Sequence, residues 1–273
     1  MDNCFEICQP KISVCQFKVT DDKAMNLVKA NEYIRNSAKN GSDIIVLPEC
    51  FASPYDVKLF DKYSEIISDD GDKSPSVFML NKCSIDYPEV YIFSGSIIEK
   101  EDDKLYNTCL VFHKGEIISK YRKNNLYKIN LDEHSFCEGD VLTPGNEPTI
   151  VETKFGKIGI GICYDLRFPD LAKYYRENNC KIIIYPGSFN RHTGPKHWKL
   201  LQQTRALDNL LYVVSCSTAC SFGTTFESYG KSFIISPWAD VINETKLDKE
   251  EVITSDLNII SINSYREMLP ILS

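Results

Sequence analysis

The chain has 273 residues, 43% hydrophobic and 25% charged, a globular composition with ample length for a large buried core. Its net charge of −7 and pI near 5.3 argue against nucleic acid or an anionic membrane as a partner. No stretch approaches the roughly 20 apolar residues of a membrane span.

No Pro/Gly/Ser-rich linker divides the sequence, so a single domain over residues 1–273 is expected. The first ten residues include Asp2, Glu6 and Pro10, unlike a secretory leader. Eleven cysteines are scattered irregularly, and several, such as Cys15 and Cys109, lie in strand-like runs. They read as reduced thiols, which makes the cytoplasm the expected location.

In chain order, Ile12–Phe17 reads as a strand and Thr20 or Asp21 as the cap of a helix running to about Lys39. Asn40-Gly41 ends that helix, and Ile44–Leu47 is an apolar strand closed by Pro48. The middle reads as antiparallel strands at Val90–Ile98, Leu105–His113 and Glu116–Tyr121. An irregular polar stretch from Arg122 to Asn146 follows, then a hairpin of Thr149–Thr153 and Lys157–Ile162. Helices are expected at about Asp170–Asn179 and Lys196–Asp208. Strands are expected at Ile182–Tyr185, Leu211–Cys216, Lys231–Ser236 and Val252–Asp256. Strands alternating with helices, plus several hairpins, imply a layered α/β fold with mixed sheets.

Two nucleotide fingerprints are incomplete. Tyr164 replaces the third glycine after Gly159-Ile160-Gly161, and Thr225 replaces the first glycine of a phosphate loop ending Gly230-Lys231-Ser232. No Cys-x-x-Cys pair exists, Cys4/Cys8 and Cys216/Cys220 have the wrong spacing, and the four histidines do not cluster. Neither a cofactor nor a metal is expected.

Cys163 ends an apolar run and precedes charged and turn-forming residues, in Gly-Ile-Gly-Ile-Cys-Tyr-Asp-Leu-Arg-Phe-Pro. A thiol at such a strand end is either a nucleophile facing a crevice or a buried core residue. A nucleophile needs a base and donors for an oxyanion, and no histidine sits in a papain-like motif. Glu49, after Val46-Leu47-Pro48, is either that base or a solvated loop residue. Lys120-Tyr121-Arg122-Lys123 reads as a basic turn, and Glu138 carries no local signal.

Taken together, Leu47-Pro48-Glu49-Cys50-Phe51, Tyr121-Arg122-Lys123 and Gly161-Ile162-Cys163-Tyr164-Asp165-Leu166-Arg167-Phe168-Pro169 resemble the Glu–Lys–Cys motifs of the nitrilase superfamily of carbon–nitrogen hydrolases. The resemblance runs from about Lys11 to about Asp256. Tyr185-Pro186-Gly187-Ser188-Phe189-Asn190, Thr193-Gly194-Pro195, His197-Trp198 and Arg205-Ala206-Leu207-Asp208-Asn209 are most similar to the omega-amidases. Asn125 stands where family members often carry His, and Arg191-His192 is bulkier and more basic than the family's pair.

The resemblance implies an α-β-β-α sandwich of two mixed sheets with flanking helices, paired as a homodimer. It implies hydrolysis of the terminal amide of 2-oxoglutaramate and 2-oxosuccinamate through a cysteine thioester, with no cofactor. Cys163 would be the nucleophile, Glu49 the base, and Lys123 with the Tyr164 N–H the oxyanion donors. Glu138 would hold Lys123 and the substrate amide. Arg191 is a candidate for the substrate's carboxylate or an exposed loop arginine, and Phe189 a pocket wall or a core aromatic. Asp165 and Arg167 are expected to steady the turn. The alternatives are amidases for deaminated glutathione or N-carbamoyl compounds, and a catalytically silent binding protein on the same fold.

Overall fold

A computed structural model of the chain describes residues 9–68, 70–131, 134–220 and 226–271. The strands are β1 (Lys11–Gln16), β2 (Ile44–Val46), β3 (Tyr91–Phe93), β4 (Ile97–Glu101), β5 (Lys104–His113), β6 (Glu116–Arg122), β7 (Lys128–Leu131), β8 (His134–Cys137), β9 (Thr149–Thr153), β10 (Gly156–Ile160), β11 (Ile182–Gly187), β12 (Tyr212–Ser217), β13 (Phe233–Ile235), β14 (Val241–Glu244) and β15 (Glu251–Asp256). The helices are α1 (Lys23–Lys39), α2 (Phe60–Tyr63), α3 (Pro75–Asp86), α4 (Pro169–Glu177), α5 (Gly194–Asn209) and α6 (Ser261–Met268).

One sheet runs β15-β1-β2-β3-β5-β4 with β6 beside β5, and the other runs β14-β13-β12-β11-β10-β9. Each has a parallel centre, β1-β2-β3 and β10-β11-β12, with antiparallel edges. Strand residues alternate in direction. Ile12, Val14, Ile44 and Val46 therefore share a core with Ile158, Ile160 and Ile184 of the second sheet. Cys15, Ile45 and Ile92 point the other way and pack against Ala30 and Ile34 of α1 and Val77 and Leu80 of α3. Helices α4 and α5 cover the outer face of the second sheet, where Tyr175 and Trp198 are fully buried. The architecture is the expected α-β-β-α sandwich of mixed sheets.

Several local expectations differ. Asp22, not Thr20 or Asp21, caps α1, its carboxylate accepting from the Met25 N–H at 3.0 Å. The strand expected at Val90–Ile98 is broken at Ser94-Gly95-Ser96 into β3 and β4. Gly95 has φ of +69°, and a Cβ there would stand 2.0 Å from the Pro48 carbonyl oxygen. Only glycine lets this loop press against the chain that carries Glu49. The stretch Arg122–Asn146 is not wholly irregular, because it contains the β7–β8 hairpin and a short 3-10 turn at Glu138–Asp140. Helices α2, α3 and α6 and strand β14 had no expected counterpart.

Candidate active site

The candidate residues come from the ends of strands in both sheets. Glu49 and Cys163 each stand three residues beyond a parallel strand, β2 and β10 respectively. Ligands in open α/β sheets gather beyond such ends. The Glu49 turn is held by the β3–β4 loop: the Cys50 N–H donates to Ser96 Oγ at 2.9 Å, and the Phe51 N–H to the Ser96 carbonyl at 3.2 Å. Cys50 has φ of +49° and Cys163 φ of +48°, a region that costs non-glycine residues energy and often marks a functional turn. Asp165 pins the Cys163 turn, accepting from the Ile162 N–H and the Tyr121 hydroxyl, each at 2.8 Å. It also accepts from the backbone and side-chain N–H of Asn125, which gives the departure from histidine there a structural role. From α5, Arg205 donates to the carbonyls of Leu166 and Arg167. A Cβ on Gly187 would lie 2.8 Å from Trp198 and 3.2 Å from the Cys163 Cα, so the end of β11 must be glycine.

Lys123 is the centre of the polar cluster. Its Nζ lies 3.0 Å from Glu49 Oε1 and 2.9 Å from both oxygens of Glu138, and all three side chains are fully buried. Breaking such a buried ionic group is costly, because it strands a charge away from water. Glu138 accepts from Lys123, the Tyr55 hydroxyl and the Tyr127 N–H, so both its oxygens are engaged. Glu49 differs. Its Oε1 accepts from Lys123 and from Asn107 Nδ2 at 3.0 Å, whereas its buried Oε2 has no hydrogen-bond partner among the described residues.

The ionisation equilibria follow from this burial. Burial raises the Glu49 carboxyl above its ordinary range, with Glu138 adding to the rise and Lys123 opposing it. Burial alone would pull the Lys123 ammonium down, but Glu138 and Glu49 outweigh it and hold Lys123 well above its usual value. Burial and the neighbouring Glu49 push the Cys163 thiol well up, against Lys123 and the Ser188 backbone. At neutral pH the sulfur therefore rests as thiol and needs a base at the moment of attack.

Residues 7–267 match the Carbon-nitrogen hydrolase family. The chain belongs to that family. It is 40% identical to Omega-amidase NIT2 of Xenopus tropicalis over 96% of this chain and 93% of the relative. It is 41% identical to the chloroplastic omega-amidase of Arabidopsis thaliana over 95% of this chain and 70% of that one. The crystal structure of Nit3 from Saccharomyces cerevisiae, a member of branch 10 of the nitrilase superfamily, superposes with a TM-score of 0.87. That chain is 36% identical, and the match covers 98% of this chain and 97% of that one. This carbon–nitrogen hydrolase thus shares its architecture with Nit3, and nearly its whole length is matched by all three relatives.

Among the sequence candidates, the structure brings Cys163, Glu49, Lys123 and Glu138 to one place. Tyr164 and Phe189 line a small cavity with Cys163, and Phe189 also packs at a tilt against Trp198 with ring centroids 4.5 Å apart, so it is wall and core at once. Arg191 stands apart. Its side chain is 44% exposed, it lies 3.9 Å from Glu227, and it lines an outer cavity of about 550 Å³ rather than the one beside Cys163.

Sequence reasoning missed Asn107 and Tyr55. Asn107 is a buried amide inside the apolar strand β5, and buried polar groups of that kind have partners to find. Tyr55 offered no local signal. No group of three potential metal ligands occurs among the described residues, and Cys4 and Cys8 lie outside them. No described helix is long and apolar enough to cross a membrane.

Proposed function

We propose that this protein is an omega-amidase that hydrolyses the terminal amide of 2-oxoglutaramate and 2-oxosuccinamate through a thioester on Cys163. The observation that carries the mechanism is Glu49 Oε2, a buried carboxylate oxygen with no hydrogen-bond partner among the described residues, on a residue whose charge pushes the Cys163 thiol up. As the sulfur attacks the amide carbon, Oε2 takes the thiol proton. The oxyanion is met by Lys123 Nζ and the Tyr164 N–H, donors of a kind worth about 3 kcal/mol of barrier each. Collapse breaks the C–N bond, and the proton on Glu49 goes to the departing nitrogen, releasing ammonia. Water then gives a proton to Glu49 and its oxygen to the thioester carbon. The C–S bond breaks, the sulfur regains the proton, and the dicarboxylic oxo acid leaves. Glu138, with both oxygens engaged by Lys123, Tyr55 and the Tyr127 N–H, holds Lys123 in place. Phe189 walls the pocket and Arg191 draws anions to the outer cavity. No cofactor enters any step.

The similarity to omega-amidases at about 40% identity over nearly the full chain supports the substrate class. The continuous run of both sheets supports one domain. Exposed apolar residues on α4 and α5, Tyr174, Leu200 and Leu207, support pairing of two copies. Nine free thiols among the described residues support a reducing compartment such as the cytoplasm.

The test is ammonia release from 2-oxoglutaramate together with mass spectrometry of rapidly quenched enzyme. The wild-type chain is expected to release ammonia and carry an acyl adduct on Cys163. Cys163→Ala is expected to fall to background with an unchanged melting temperature. Turnover persisting in that variant, or a wild-type enzyme that hydrolyses only other amides, overturns the reading.

A further inference from the structure

The turn between α4 and β11 meets α6 at a cluster of three cations. Arg176 lies in the last turn of α4, Lys181 stands one residue before β11, and Arg266 comes from α6. All three are half-buried. Arg266 spans the turn: Nη1 donates to Asn179 Oδ1 at 2.8 Å, Nη2 to the Cys180 carbonyl at 2.7 Å and Nε to the Leu210 carbonyl at 3.3 Å. Lys181 Nζ donates back to Asn263 Oδ1 on α6 at 2.6 Å. The Arg176 carbonyl accepts from the Asn179 N–H at 3.1 Å, which ties its backbone to the same turn, while its guanidinium has no partner among the described residues. None of the three lies within ion-pair distance of a described carboxylate. The carboxylates of the adjoining elements serve other lysines: Glu177 of α4 lies 3.8 Å from Lys173, and Glu152 of β9 lies 3.4 Å from Lys157.

The three charges repel one another. Burial, then Arg266 and Arg176, pulls the Lys181 ammonium down to about 8, and burial, then Arg176, pulls the Arg266 guanidinium down to about 10. Like charges this close cost energy that a bound anion returns. The donors agree. A guanidinium offers five N–H groups and an ammonium three. After the bonds above, Arg266 keeps two, Lys181 two and Arg176 all five. Helix α6 carries no acidic residue in its first turn, so its own N–H groups add to the positive field. Strand β11 runs from this cluster to Gly187, where a Cβ would stand 3.2 Å from the Cys163 Cα. A strand of that length spans roughly 20 Å, so the cluster is separate from the catalytic cavity.

We propose that Arg176, Lys181 and Arg266 form a second binding site, for a dianionic oxyanion of the phosphate class. Three cations, two of them with forked donors, match a doubly charged tetrahedral ion better than a single carboxylate. The site stands independently of the amidase reading above.

The experiment titrates inorganic phosphate into the full chain by calorimetry at about pH 7, where all three cations are charged. Melting temperature is followed in parallel against sodium chloride of equal ionic strength. Saturable binding of one phosphate per chain is expected. Arg176→Gln and Lys181→Gln are each expected to weaken binding by at least roughly tenfold, the loss of one charge-assisted hydrogen bond. In chloride alone Arg176→Gln is expected to melt no lower than the wild type, because it removes a repelled charge, yet to lose most of the phosphate-dependent rise. That rise is compared between variants because phosphate strengthens burial in any protein. Glycerol 3-phosphate in place of phosphate tells a seat for phosphomonoesters from one for the free ion, and acetate is expected to bind more weakly than phosphate. Heats no greater than dilution in the wild type, acetate binding as tightly as phosphate, or an equal phosphate response in the wild type and both folded variants overturns the proposal.

Discussion

The two carboxylates on either side of Lys123 sit in unlike regions. Glu49 lies on a turn locked between the parallel strands of the first sheet and the glycine loop at Gly95, and one of its oxygens has no hydrogen-bond partner among the described residues. Glu138 begins a 3-10 turn after the β7–β8 hairpin, outside both main sheets, and both its oxygens are engaged by Tyr55, Tyr127 and Lys123. The same side chain is thus poised to change its protonation in one place and held as a fixed acceptor in the other. A base needs a lone pair that no resident donor already occupies, whereas a holder of charge needs every lone pair filled.

The sharpest way to break this comparison is to remove each charge in turn. Glu49→Gln is expected to lower kcat on 2-oxoglutaramate by roughly 10²–10⁴-fold, the range for losing a positioned general base. The raised Glu49 carboxyl also fixes the sign of the pH profile. The active base form is lost as pH falls through that raised value, so the wild-type acid limb is expected above the usual carboxylate range. Glu49→Gln is expected to abolish the limb. Stopped-flow rates of acylation from pH 4 to 8 measure both effects, and because Glu49 lies against Lys123 and Cys163 the limb belongs to the cluster. An acid limb kept intact in the Gln variant argues against Glu49 as the base.

Glu138→Gln is expected to act less on the chemical step and more on stability. The amide keeps one acceptor for Lys123 but turns its NH₂ toward the Tyr55 hydroxyl or the Tyr127 N–H, which are donors already. Loss of satisfied buried hydrogen bonds to a charged group costs about 1.5–3 kcal/mol. A drop in melting temperature larger than that of Glu49→Gln, with a smaller fall in kcat, is the expected pattern. The reverse order would show that the two carboxylates have been assigned the wrong way round.

Much of this contrast was legible in the sequence, but not its cause. Cys163 and Glu49 stood out because apolar runs end beside them, and the pattern of three motifs carried the sandwich. The strands at Ile44–Leu47 and Ile182–Tyr185 were read correctly because Ile44–Val46 and Ile182–Ile184 are apolar on both faces. Glu138 was invisible locally, since its environment is assembled by Tyr55, 83 residues away, and by the Tyr127 backbone. The break at Ser94-Gly95-Ser96 was missed because the need for it is tertiary: the loop must approach the Pro48 carbonyl. Arg191 was a candidate for the substrate's carboxylate in sequence because a guanidinium binds a carboxylate in a fork, and its place beside Glu227 on the outer cavity is tertiary information.

The smallest expected effect comes from the donor that aims Glu49. Asn107 Nδ2 and Lys123 share Oε1, which leaves Oε2 for the proposed proton transfer. Asn107 Oδ1 is itself buried without a hydrogen-bond partner among the described residues. Asn107→Leu removes a hydrogen bond to a carboxylate but also removes that orphan acceptor, so the two stability terms oppose each other. The expected result is a melting temperature within a few degrees of wild type and a roughly tenfold lower kcat with KM little changed. The Asn107→Asp variant separates aim from bulk. It is nearly isosteric but sets a second carboxylate against Glu49, which raises the Glu49 carboxyl further. Its acid limb is expected to move to higher pH than in the wild type, whereas Asn107→Leu keeps the limb near its original place. Equal profiles in both variants would mean that Asn107 packs the strand without aiming the base.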